Sequence, residues 1–223
     1  MLLYIVRHGE TDWNRKHRLQ GQTDIPLNAN GIALAEKTAE GLADVHFDLA
    51  ISSPLIRAKR TAEIIIGDRN IPIYTDYRIR EIGFGSWDGE IAAESKIPGL
   101  KEQMRIFFED PFEFHGGPDS ESIRHVCRRT HDFYQELIHT RRFQDKTILV
   151  ATHGCAMRGI MHDIYGQPDD FWHGGVAKNC AVNIVRAENG VSTLLAEAVI
   201  YYDPEQFKAV DLNSIVDRTG EKG

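Results

Sequence analysis

The chain has 223 residues, 42% hydrophobic and 26% charged, with a formal net charge of −7. That balance fits one soluble globular domain spanning 1–223 and argues against nucleic acid or an anionic membrane as the main partner, so any anion site must be local. The opening apolar run stops at Arg7 and no later run reaches membrane-spanning length, which predicts neither a secretory signal nor an anchor, and a cytoplasmic protein. Cys127, Cys155 and Cys180, odd in number and widely spaced, read as reduced thiols.

Leu2 to Val6 reads as a strand buried on both faces, and it ends abruptly at Arg7-His8-Gly9. In open α/β sheets ligands bind at the carboxyl ends of strands, so a cation beside an imidazole there points to anion chemistry. Taken alone, the stretch fits equally well an arginine capping a carbonyl and a satisfied half-buried histidine. Asp12 to Asn30 follows as a polar loop without structure of its own, long enough to be functional. Asn30 to Ala43 carries Ile32, Ala35, Ala39 and Leu42 at near-helical spacing. Phe47 to Ile51 is a second strand ending at Ser52-Ser53-Pro54, where serine caps and proline opens a helix bearing Arg57, Ala58, Thr61 and Ala62.

Ile71 to Tyr74 is a short third strand, and Tyr77 to Trp87 is a loop in which Arg78, Arg80 and Glu81 lead into Gly83-Phe84-Gly85. Helices are predicted over Leu100 to Glu109 and Ser122 to Arg142, separated by the turn-rich Asp110 to Ser120, and this middle region is expected to cover or flank a site. Lys146 to Ala151 is another buried strand, stopping at Thr152-His153-Gly154 before a helix with Met157, Ile160, Met161 and Ile164 that closes at Gly166-Gln167-Pro168. Cys180 to Arg186 and Thr193 to Ala198 are strands joined through the hairpin signal Asn189-Gly190. The polar tail from about residue 204 is expected to be peripheral.

If the three handover points share one edge of a parallel sheet, they build a cationic pocket. Arg7 and Arg57 offer planar forks for phosphate oxygens, and the amino end of the helix after His153 adds N–H groups. One neutral histidine, His8, attacks phosphorus while a second, protonated one, His153, pairs with an oxygen. Glu81 is the candidate general acid, its protonated form favoured beside a bound phosphate.

These residues fall in blocks that resemble the histidine phosphatase (phosphoglycerate mutase-like) superfamily. They are Arg7-His8-Gly9-Glu10-Thr11, Trp13-Asn14, Gln20-Gly21, Asp24-Ile25-Pro26-Leu27 and Gly31. Further on come Ser52-Ser53-Pro54-Leu55-Ile56-Arg57-Ala58 with Thr61-Ala62, Arg80-Glu81-Ile82-Gly83-Phe84-Gly85, and Thr152-His153-Gly154. The resemblance implies a three-layer α/β/α fold with a mostly parallel central sheet and a phosphohistidine on His8. It implies a phosphate pocket of Arg7, Arg57 and His153 helped by Asn14, with Gln20, Gly21 and Gly154 also binding phosphate or substrate. Glu81 is then the proton donor and afterwards the base for water. No metal and no cofactor are implied, and the substrate is a small phosphorylated metabolite.

The rival within the superfamily is a cofactor-dependent mutase. Phe84-Gly85-Ser86-Trp87-Asp88-Gly89 resembles the phosphatase branch, and the following insert holds only isolated Lys96, Lys101 and Arg105. Arg128-Arg129 lies on a predicted helix and reads as a solvated face. Asp119-Ser120-Glu121-Ser122 departs from the family's Gly-Gly-Glu-Ser pattern and leaves the lid open to question. Cys180 and Arg186 have the spacing of a cysteine phosphatase, but the residues between them alternate like a strand. The remaining histidines are scattered, without the spacing of metal ligands. Trp13, Trp87 and Trp172 line a cleft or pack a lid; Arg15, His17 and Arg18 meet an acidic distal group or form a solvated loop. A non-catalytic phosphate-binding module is the reading from another class, and it would lack one of the reactive groups, all of which are present.

Overall fold

The strands that carry the two histidines lie side by side at the centre of a six-stranded sheet. In the computed structural model, which describes residues 1–166 and 169–206, the strands are β1 (Leu2–Arg7), β2 (Leu49–Ser52), β3 (Ile73–Thr75), β4 (Thr147–Thr152), β5 (Val182–Glu188) and β6 (Val191–Val199). Their order is β3-β2-β4-β1-β5-β6. The first four run parallel, β5 is antiparallel to β1, and β6 is antiparallel to β5. The helices are α1 (Asp12–Arg15), α2 (Ala29–Gly41), α3 (Ile56–Ile66), α4 (Leu100–Glu109), α5 (Ile123–His139) and α6 (Gly154–Tyr165).

The layering follows from the period of two along a strand. Leu3, Ile5, Ile148 and Val150 pack against Phe133, Tyr134 and Leu137 of α5 and Met157, Ile160 and Met161 of α6. Val6, Leu149 and Ala151 face the other way, onto Ala62, Ile65 and Ile66 of α3 and Leu42 just past α2. Covering both faces explains why β1 and β4 read as continuous apolar runs. Burying each large aliphatic side chain contributes about 1.5–3 kcal/mol, which favours this arrangement over any that leaves one face wet. The result is the expected α/β/α fold.

Most element positions agree with the sequence reading, and the departures have local causes. The loop after β1 contains the one-turn helix α1, because Thr11 and Asn14 form a reciprocal capping box. Helix α3 starts at Ile56 rather than at Pro54, and no serine caps it; Asp24 Oδ1 accepts from Ile56 N at 2.7 Å instead. The third strand is displaced to Ile73–Thr75. Helix α5 ends at His139, with a short 3-10 turn at Arg141–Phe143. Gly166 closes α6 at φ 65°, as expected, whereas Gln167 and Pro168 lie outside the described residues. Asn189 and Gly190 turn the β5–β6 hairpin at φ 53° and 77°. The tail expected from about residue 204 is described only as far as 206.

Among the described residues no helix is long and apolar enough to cross a membrane. The three cysteines are free thiols.

Candidate active site

Register alone assembles the reactive edge. Arg7 on β1 stands opposite Thr152 on β4, and Ala151 stands opposite Ser52 on β2. The next residue of each strand therefore emerges at the same carboxyl edge: His8, His153 and Ser53. The two imidazoles lie 5.1 Å apart, centroid to centroid, and both are buried.

His8 is held at ring and backbone. Its Nδ1 lies 2.6 Å from the Gly9 carbonyl oxygen, which only accepts, so Nδ1 carries the hydrogen and Nε2 keeps its lone pair. Its backbone N–H reaches Thr152 O at 2.9 Å, and its carbonyl accepts from Asn179 Nδ2 at 2.9 Å. The neighbouring Gly9 N donates to Thr61 Oγ1 of α3 at 3.0 Å. Burial, then the positive charges of Arg57 and Arg7, holds the His8 pKa well below the usual histidine value. A neutral imidazole with a free Nε2 is a nucleophile.

His153 Nε2 lies 2.7 Å from Ser53 Oγ, and its Nδ1 is a buried ring atom with no protein partner. Burial and the neighbouring Arg57 push this histidine down as well. In the unliganded protein both imidazoles are therefore favoured neutral, by burial first and then by the positive charge of Arg57, and the expected protonation of His153 concerns the phosphate-bound site.

Arg7 and Arg57 are buried and bonded to main-chain carbonyls. Arg7 donates to Ala177 O; Arg57 donates to Thr23 O at 3.0 Å and Gly21 O at 2.6 Å. Each keeps a buried Nε without a protein partner. Desolvation lowers both, Arg57 to about 10, with Glu81 opposing as the largest nearby negative charge. Taking an uncompensated ion out of water costs several kcal/mol, so a site holding two such cations favours an anion strongly.

Glu81 is buried against the start of α6. Its Oε1 accepts from Ile82 N at 2.9 Å and Ala156 N at 3.1 Å, and its Oε2 accepts from Cys155 N at 3.2 Å. Two N–H groups at the amino end of α6, the end expected from sequence to serve phosphate, thus hold the acid. Gly154 sits between the two functions. A Cβ there would stand 3.6 Å from both Arg7 Nε and Glu81 Oε2 and 2.8 Å from Val176 Cγ1.

The other predicted residues divide. Asn14 and Gln20 line the cleft, with the Thr11 hydroxyl set between Asn14 Oδ1 and Gln20 Oε1. Gly21 does not line it. Its N–H donates to Asp88 Oδ1 at 2.8 Å and its carbonyl orients Arg57, while a Cβ would meet Ile82 O at 2.6 Å. Gly21 is a positioning residue, glycine because the loop lies directly on the backbone of the acid's segment.

Several supporting residues escaped the sequence reading. Arg128 is exposed, but Arg129 is not a solvated residue: it donates to the carbonyls of Arg78 and Arg80, both at 2.6 Å, and of Glu81 at 3.0 Å. Glu121 holds that guanidinium at 2.7 Å and accepts from Gly83 N at 3.0 Å. Asp119 takes Ser86 N at 2.9 Å, Ser120 bonds Phe84 O at 2.9 Å, and Ser122 caps α5. The departing Asp119–Ser122 turn is thus a clasp on Gly83–Ser86. Asp88 also takes Thr23 N at 2.8 Å, and Asp24 caps the helix that carries Arg57. Glu121 lies just before the Ser122 cap of α5, outside the helix, so no helical spacing marks its pairing with Arg129.

The cleft has a volume of about 80 Å³, with Arg7, His8, Asn14, Gln20, Glu81 and Gly154 among its lining. A larger hollow of about 350 Å³ near Ile51 and Phe133 holds the Asp76–Arg78–Glu136 ion pairs and none of these groups. Among the described residues no group of three His, Cys, Asp or Glu is placed to hold a metal ion.

A neutral histidine with a free nitrogen, two buried arginines and an adjacent buried carboxyl, all at the carboxyl edge of a central sheet, define a phosphoryl-transfer protein of the three-layer α/β/α class. The profile of the histidine phosphatase superfamily (branch 1) matches residues 3–199, and the chain belongs to that family. It is 32% identical over 184 residues to the phosphatase PhoE of Bacillus subtilis, covering 82% of this chain and 88% of that protein. It is 31% identical over 179 residues to a 2,3-bisphosphoglycerate-dependent phosphoglycerate mutase of Cytophaga hutchinsonii, covering 77% of this chain and 81% of the mutase. The solved structure of Bacillus stearothermophilus YhfR superposes with a TM-score of 0.80 at 30% identity, covering 90% of this chain and 98% of that one.

Proposed function

We propose that the protein is a metal-independent phosphatase that hydrolyses small phosphomonoesters through a phosphohistidine on His8. The observation that carries this reading is the locked tautomer of His8 beside three buried, unpartnered nitrogens: Arg7 Nε, Arg57 Nε and His153 Nδ1. A phosphoryl dianion supplies the oxygens they lack. The negative charge of the dianion opposes the burial and the Arg57 repulsion that lower His153, and so favours its protonated form in the complex.

His8 Nε2 then attacks phosphorus, the bond from phosphorus to the ester oxygen breaks, and the leaving oxygen takes its proton from Glu81. The arginines stabilise the equatorial oxygens throughout. In the second half, Glu81 removes a proton from water, the water oxygen attacks phosphorus, the P–N bond breaks, and phosphate leaves with His8 neutral again.

Hydrolysis leads over mutase chemistry because a mutase must grip a second anionic group. Among the described residues lining the cleft, the cation beyond the reactive end is Arg18, whose guanidinium donates to the Gly89 carbonyl. Arg105 is exposed and paired with Glu102 and Glu109. A binding module needs neither an ordered nucleophile tautomer nor a buried acid, and both are assembled. The same reading makes the whole chain one catalytic domain and places it in the cytoplasm, where small phosphorylated metabolites are its substrates; the free thiols support that compartment.

The test is hydrolysis of p-nitrophenyl phosphate in excess chelator, run beside a 2,3-bisphosphoglycerate-dependent mutase assay on 3-phosphoglycerate. Chelator-resistant phosphate release exceeding mutase turnover is expected. Dominant mutase turnover, or release abolished by the chelator, would contradict it.

A further inference from the structure

One of the two arginine forks, Arg7, is held by a segment to which the mechanism gives no part. Ala177 O accepts from the Arg7 guanidinium, and a little further on Asn179 Nδ2 and Cys180 N donate to the carbonyls of His8 and Arg7, at 2.9 and 3.0 Å. Residues 173–180 are thus a strap laid across the end of β1. Its later half is tied to β1 itself, and the Tyr202 hydroxyl donates to Asn179 O at 2.9 Å. Its earlier half is a turn in which His173, Gly174 and Gly175 follow one another at φ 43°, 82° and 113°. Three successive residues at positive φ, one of them bearing a side chain, persist only where the surroundings over-determine them.

Arg158 supplies that constraint from α6, the helix whose amino end holds Glu81. Its side chain is only 6% exposed. Nε donates to Gly175 O at 2.8 Å and Nη2 to His173 O at 3.3 Å, while Nη1 serves the Tyr165 hydroxyl at 2.7 Å and Glu197 Oε1 at 3.2 Å. The Tyr165 ring also stacks on His173, with centroids 3.7 Å apart. A planar guanidinium that bridges two carbonyls fixes their relative direction, and Glu197 balances its charge. Gly175 is two residues from Ala177, at most about 7 Å of chain, so a displaced Gly175 carbonyl displaces the one that holds Arg7. None of the Arg158 bonds reaches a reactive group. We propose that Arg158 is a positioning residue for Arg7: it sets the strap, Ala177 O sets the Arg7 guanidinium, and the unpartnered Arg7 Nε is thereby kept for phosphate. The last step rests on the phosphatase reading.

The experiment reads Arg7 first and phosphate second. The Arg7 Nε–H resonance is identified in isotope-labelled protein by its absence from Arg7→Lys, and the Kd of inorganic phosphate is measured by calorimetry. Arg158→Ala is expected to shift the Arg7 resonance and to raise the phosphate Kd about tenfold, the scale on which a misplaced binding group is felt. Arg158→Lys keeps the charge beside Glu197 but has no fork for the two carbonyls; it is expected to shift the same resonance and raise the Kd about threefold, and it carries the test if Arg158→Ala does not fold. In an Arg7→Met background either substitution should add less than about twofold, because the group through which it acts is gone. An Arg7 resonance unchanged in the folded variants overturns the inference, and so does a shifted resonance with an unchanged Kd. A Kd loss that persists undiminished beside Arg7→Met overturns it too, as the mark of a general structural role. Inorganic phosphate binding to none of the proteins, wild type included, contradicts the phosphatase reading instead, and the resonance alone then decides whether Arg158 places Arg7.

Discussion

The Arg129 guanidinium donates to the Glu81 carbonyl oxygen at 3.0 Å, and so holds the backbone of the proposed acid from a helix on the opposite side of its loop. It does the same for Arg78 and Arg80, while Glu121 pins the guanidinium in place. Arg129→Ala is expected to release three carbonyls at once. Hydrogen bonds from charged donors contribute about 1.5–3 kcal/mol each at most, so the expected cost is a few kcal/mol of stability and a roughly tenfold lower kcat with KM little changed. Urea denaturation and steady-state kinetics check this, and an unchanged kcat would show that Arg129 does not position the acid.

Glu81 itself separates leaving groups. In Glu81→Gln the carboxyl proton is gone, so esters of alkyl alcohols should slow by about 10²–10⁴-fold. p-Nitrophenyl phosphate, whose leaving group departs without a proton, should slow far less in the first half-reaction, as read from the pre-steady-state burst. Equal losses on both substrates would remove Glu81 as the acid.

The histidines make stability depend on pH with a defined sign. His8 and His153 are both held well below the ordinary histidine value of about 6.5 by burial and the adjacent arginines. Below about pH 6.5 the unfolded chain takes up protons that the folded chain refuses, so stability is lost as pH falls from there toward the folded-state values. Denaturant midpoints measured between pH 7.5 and 5 should fall for the wild type and flatten in a His8→Asn, His153→Asn double variant.

Phosphate binding should raise His153, since the dianion's attraction opposes the burial and the Arg57 charge that hold it down. Calorimetric titration with inorganic phosphate in two buffers of different ionisation enthalpy at pH 7 is expected to show net proton uptake by the protein beyond the buffer's share, reduced in His153→Asn. Equal uptake in both proteins would assign the proton elsewhere.

The reactive edge was legible because its signals are local. β1 and β4 are covered on both faces, so each had to be an apolar run, and each ends where a histidine meets glycine. Arg57 and Glu81 stood out by motif. What was not legible connects residues far apart in the chain: Ser53 with His153, Asp88 with Gly21, Asp24 with the amino end of α3, and Arg129 with the carbonyls before and at Glu81. No periodicity encodes such contacts. Arg129 looked like exposed Arg128 beside it because adjacent helical residues share composition but not direction. That two of α6's N–H groups hold Glu81 was hidden for a related reason: a helix amino end attracts any carboxylate, whether of a substrate or of the chain itself.

The central claim is the covalent intermediate on His8. It is tested by mixing the protein with p-nitrophenyl phosphate, quenching in base within milliseconds, and locating phosphate by peptide mass spectrometry. An acid-labile, base-stable phosphoryl group on His8, approaching one per chain during turnover and absent in His8→Ala together with activity, is the predicted result. Phosphate on another residue, or sustained hydrolysis by His8→Ala, would contradict the mechanism.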